Sequence, residues 1–121
     1  MIIAGNIDNF LQTHPDCTAS ICSNDNVAIA ITTYLVKRGI KVPEDISIVG
    51  IDNIPATQII YPSLSTISQP VDKVIETAFD IMIKCLKQPA KPPKKVVIPT
   101  QFIKRSSCCK ARDTNKTPFK N

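Results

Sequence analysis

Residues 18–39, TASICSNDNVAIAITTYLVKRG, run apolar, then abruptly polar, then apolar again. The first block, TASICS (18–23), is short and largely apolar, as a strand buried on both faces would be. The last block spaces Val27, Ile31 and Leu35 at helical intervals, with Ala28 and Ala30 beside them, and Gly39 stands where a helix C-terminus would place it. Between them lie Ser23, Asn24, Asp25 and Asn26. Short polar side chains at a strand-to-helix junction either cap the helix or hold a ligand. Asp25 suits both roles, because a carboxylate is favoured at a helix N-terminus and can accept from adjacent hydroxyls.

The same alternation continues on either side. Ile7, Phe10 and Leu11 predict a helix that His14-Pro15-Asp16 stops. ISIVGI (46–51) is a β-branched run bounded by Pro43-Glu44-Asp45 and Asp52-Asn53, and LSTIS (64–68) is a third strand. Positions 71, 74, 75, 78, 79, 82, 85 and 86 are apolar, a helical stripe that begins after Pro70 and ends before Pro89. KVVIPTQFI (95–103) is extended and interrupted by Pro99, as at a sheet edge. Continuous apolar strands alternating with helices predict an α/β protein with a parallel sheet, a Rossmann-like three-layer sandwich. Its ligands would sit beyond the carboxyl ends of the strands. Two polar clusters fall there, Ser23–Asn26 and Asp52-Asn53; the latter is read as a turn former.

Composition narrows the function. The 121 residues suit one domain, with 43% hydrophobic and 21% charged residues. The absence of Trp and the scarcity of aromatics argue against a stacking surface for single strands. No apolar run reaches the length of a membrane span, and MIIAGNIDNF lacks the basic and apolar regions of an export signal, so a cytoplasmic address is expected. Cys17, Cys22, Cys85, Cys108 and Cys109 show no paired metal-site spacing and His14 is the single histidine, so the thiols read as small apolar residues kept reduced. No metal or cofactor is implied. With three glycines and no nucleophile or phosphate-loop motif, the chain does not read as an enzyme. Charge is uneven: residues 84–121 hold eleven of the fifteen basic side chains and one acid, Asp113. Without aromatic interleaving or helical phasing, these describe a solvated tail better than a nucleic-acid grip.

Residues 18–86 carry a more specific signal. The landmarks SND-x2-A-x-A, RGIKVPEDISIVGIDN and PSLSTISQP, followed by the ending VIPTQFIKRSS, occur in the order found in lactose-repressor-like (LacI/GalR) transcription regulators. The chain resembles the C-terminal part of their effector-binding domain. That resemblance implies a partial periplasmic-binding-protein-like fold, its C-terminal lobe, which senses a small effector, most often a sugar. It implies effector contacts from Asp25, Gln69, Asn24 and Val71, although Ser23 and Asn24 also suit helix capping. It further implies a homodimer surface that includes Thr32, Thr33 and Tyr34 in the complete regulator. No helix-turn-helix or first lobe is recognisable, so the chain reads as a regulator fragment without direct DNA contact. Residues 70–88 would pack on the lobe lacking here. A fragment of a sugar-binding transport protein and a small basic interaction module are the alternatives. Residues 1–107 are expected to form the partial sensor domain, and 108–121 a disordered basic tail.

Overall fold

The computed structural model describes residues 2–88 and 95–114, with the side chains of residues 2–6 left aside. It divides into two units, residues 1–68 with 102–121, and residues 69–101. The elements are α1 (Ile2–Thr13), β1 (Ala19–Ile21), α2 (Asp25–Lys37), β2 (Ser47–Ile51), α3 (Ala56–Ile59), β3 (Ser65–Ser68), α4 (Val71–Lys87) and β4 (Gln101–Ile103). The sheet order is β1-β2-β3-β4. β1 pairs parallel to β2, with Ala19 opposite Ser47, and β2 pairs parallel to β3, with Val49 opposite Ser65. Each parallel pair needs a crossover, supplied by α2 and by the segment containing α3. The expected parallel α/β sheet is therefore observed.

Side-chain chemistry explains where α2 begins and ends. Asn24 is extended, and its Oδ1 accepts from the Val27 N–H at 2.9 Å. At the other end Gly39 has φ +76, its N–H bonds the Val36 carbonyl, and the Ile40 N–H bonds the Leu35 carbonyl. This is a Schellman closure, with Ile40 returning to the core. The core joins Leu11 of α1, Ala28 and Leu35 of α2, Ile48 of β2 and Leu64 before β3, together with Cys22, Val42 and Ile46. Full burial of each Leu or Ile contributes about 1.5–3 kcal/mol. Beside this core, α1, α2 and the sheet line an open apolar cavity of about 320 Å³, with Ile7, Phe10, Ile31 and Ile46 among its walls.

One expectation changes, and one element is new. The tail was expected to be disordered from residue 108, but residues 108–114 are docked. Arg112 donates from Nε to the Asp45 carbonyl and from Nη2 to the carbonyls of Pro15 and Cys17, at 2.8–3.1 Å. It thereby ties together the segments that lead into β1 and β2. Residues 115–121 lie outside the described residues. The new element is α3, whose four residues are too few to display a helical period in the sequence.

In the second unit α4 covers the predicted span. None of its side chains is buried, and Val71, Ile75, Phe79, Met82 and Leu86 form an exposed apolar stripe. Among the described residues, no helix is long and apolar enough to cross a membrane.

Candidate functional site

The carboxyl ends of β2 and β3 hold a continuous polar network. It starts at Asp25, which is fully buried. Its Oδ1 accepts from Thr66 Oγ1 at 2.6 Å, and its Oδ2 accepts from the Ile54 N–H at 2.9 Å. The carboxylate passes so close to Gly50 that a Cβ there would overlap Oδ1. Gly50 is therefore glycine for space, since only hydrogen admits the buried acid against β2. With both oxygens engaged and no surface exposed, Asp25 ties α2 to β3 and to the loop after β2. It does not present an oxygen to solvent, so the expected direct effector contact is not what this geometry offers. Asn24 caps α2 through its Oδ1 and is half-buried, and its Nδ2 takes no part in that bond.

The exposed carboxylate at this edge is that of Asp52. Asp52 and Asn53 have φ of +118° and +61°, in the left-handed region that side chains other than glycine rarely adopt. Such backbone persists only where surrounding bonds over-determine it. Here the N–H groups of residues 52, 53 and 54 bond in succession to the Ile67 carbonyl, Thr66 Oγ1 and Asp25 Oδ2, at 3.0, 3.3 and 2.9 Å. The Asn53 side chain is held as well, its Nδ2 donating to Ser68 Oγ at 3.4 Å and its Oδ1 accepting from Arg105 Nη2 at 2.8 Å. The pair does form the turn predicted for it, and the turn lifts Asp52 to the surface.

Ser107 completes the frame from the opposite end of the strands. It is fully buried. Its carbonyl accepts from the Ile48 N–H, and its Oγ accepts from the Ser65 N–H at 2.8 Å while donating to the Ile48 carbonyl. Sequence reading missed Thr66, Arg105 and Ser107. Their only signal was position, Thr66 inside a strand and the other two within the ending VIPTQFIKRSS.

Gln69 and Val71 belong to the second unit and are both exposed; the Val71 N–H donates to the Gln69 carbonyl at 2.9 Å. Of the three residues expected at a dimer surface, Thr32 is corrected. It is 1% exposed, on the face of α2 that also buries Ala28 and Leu35, so it cannot meet a partner. Thr33 is exposed. Tyr34 is half-buried and donates to Asp8 Oδ2 of α1 at 2.6 Å, while Arg38 pairs with Asp8 Oδ1 at 3.3 Å. The hydrogen bond to Asp8 holds the Tyr34 phenol above its ordinary range, and partial burial and the Asp8 charge act in the same direction. Burial likewise pushes the Cys22 thiol up. All five cysteines are free, and among the described residues no group of three His, Cys, Asp or Glu is placed to hold a metal ion.

A parallel sheet with its polar loops gathered at the carboxyl edge is the arrangement in which open α/β proteins bind their ligands. Residues 3–108 match the periplasmic binding protein-like domain, and the chain belongs to that family. Within it, the chain corresponds to the C-terminal part of the effector-binding domain of LacI/GalR regulators. It is 36% identical over 90 residues to the probable transcriptional repressor ExuR of Bacillus subtilis, covering 74% of this chain and 27% of the relative. It is 31% identical over 116 residues to the repressor PurR of Vibrio atlanticus, covering 88% and 35%. A LacI family regulator from Enterococcus faecium, solved with bound ribose, superimposes with a TM-score of 0.69 at 29% identity, covering 87% of this chain and 40% of that one. The chain thus spans about a quarter to two fifths of the relatives it matches. These relatives are transcription regulators by name, in accord with the reading that the chain is not an enzyme.

Proposed function

We propose that this chain is the effector-binding portion of a LacI/GalR-type transcription regulator of the cytoplasm, and that its effector is a sugar. The observation that carries the reading is the exposed Asp52 carboxylate, held at the carboxyl edge of β2 by a turn of fixed backbone. A carboxylate there can accept from two neighbouring hydroxyls, the pattern a sugar displays and a flat apolar ligand lacks. The ribose bound to the Enterococcus faecium relative supports that class of ligand. Asp25 serves the site from behind, by fixing the Ile54 N–H and Thr66 around the turn. Gln69, with an amide that can both donate and accept, and Val71 remain proposed effector contacts of the second unit. In the complete regulator, effector affinity that differs between two arrangements would carry the signal to DNA, which this segment does not touch. The regulator would act as a homodimer, with exposed Thr33 on the partner-facing side of α2.

Thermal melts of the full chain against D-ribose, lactose and cellobiose test the reading. A rise in melting temperature with one sugar, lost in Asp52→Asn, supports it. An equal rise in Asp52→Asn places the contact elsewhere, and no rise with any of the three contradicts the assignment of these sugars.

A further inference from the structure

We propose that Arg105 is a positioning residue for Asp52, acting through Asn53, an inference that rests on the reading of Asp52 as the effector contact. Arg105 follows β4 and is half-buried. Its backbone N–H donates to Ser65 Oγ at 2.9 Å, and Nη1 donates to the Leu64 carbonyl at 2.8 Å. Leu64 is fully buried, so one hand of the guanidinium is anchored on the core. The other hand, Nη2, is thereby fixed in space, and it holds Asn53 Oδ1 at 2.8 Å across 52 residues of sequence.

The consequence for Asp52 follows from geometry. The Asn53 amide is gripped at both ends, by Arg105 on its oxygen and by Ser68 Oγ on its nitrogen. That grip adds to the N–H bonds of residues 52–54 in holding Asn53 at φ +61° and, next to it, Asp52 at φ +118°. A guanidinium reaches both acceptors at once because its donors form a rigid planar fork; an ammonium is a single point. Without Arg105 the turn keeps its three N–H bonds but loses the tighter of the two side-chain bonds on Asn53, so Asn53 and Asp52 sample a wider range of φ. The effector would then have to order a carboxylate that is otherwise set before binding, and affinity falls by that ordering cost.

The test uses the full chain with Arg105→Met and Arg105→Lys. It reads the three-bond HN–Hα couplings of Asp52 and Asn53 by NMR, which report φ directly, and D-ribose affinity in wild-type and Asp52→Asn backgrounds. Arg105→Met should shift both couplings and weaken ribose binding by about tenfold. The weakening should vanish in the Asp52→Asn background, and Arg105→Lys should fall between. Unchanged couplings in Arg105→Met overturn the proposal, as does an equal loss of affinity in both backgrounds, which would mark a structural role only. If Arg105→Met does not fold, the couplings of Arg105→Lys decide. If the wild-type chain does not bind ribose, the effector reading is what fails with that probe, and the couplings alone decide whether Arg105 sets Asp52.

Discussion

Thr66 Oγ1 donates to Asp25 Oδ1 at 2.6 Å across 41 residues of sequence, beside a glycine that leaves just enough room for the acid. This contact changes what Asp25 is for. Asp25→Ala would strand the Thr66 hydroxyl and the Ile54 N–H in a buried site, at a cost of about 2–3 kcal/mol. Asp25→Asn should recover little of that, because an amide oxygen can satisfy one of the two donors while its NH₂ faces the other. Chemical denaturation of the three chains measures both.

Gly50→Ala should destabilise by about 1–3 kcal/mol, through overlap with Asp25 Oδ1 and close approach to Leu64 Cδ2 at 3.1 Å. In an Asp25→Ala background most of the clash disappears. A double-mutant cycle should therefore return a coupling well above the few tenths of a kcal/mol typical of independent sites.

Thr32→Val should be neutral or stabilising by about 0.5–1.5 kcal/mol. The Thr32 hydroxyl is buried without a hydrogen-bond partner, so a methyl group of similar shape removes an uncompensated polar atom. Denaturation midpoints decide the sign.

Alkaline pH should weaken the fold. Tyr34 and Cys22 both have pKa values raised on folding, so the unfolded chain loses those protons first. Stability is then full below the ordinary thiol and phenol ranges and declines as pH rises through the folded values. Melts from pH 7 to 11 should show the decline beginning near the thiol range, about 8.5–9, and steepening near 10. Tyr34→Phe should remove the steeper part.

Local patterns gave a true account of the framework and a partial one of the site. The β-branched run 46–51, the stripe of Val27, Ile31 and Leu35, and Gly39 each report structure made within about a dozen residues, and each is where its pattern places it. Asn24 declared its cap because its partner is three residues away. The role of Asp25 was illegible because its partners lie 41 and 29 residues away. Arg105, Ser107 and Arg112 were hidden for the same reason, since each bonds chain at least 40 residues distant in sequence. Lys and Arg in that stretch read as a charged tail, although two of them bond backbone carbonyls of the sheet and its loops. Thr32 misled because one turn of an amphipathic helix can place a hydroxyl on either face.

The most direct measurement is an amide-shift NMR titration of the full chain with D-ribose. Shift changes concentrated at Asp52, Asn53 and Ile54 are the predicted result. Changes centred instead on the apolar cavity between α1 and α2, with residues 52–54 silent, would contradict an effector site at the carboxyl edge of the sheet.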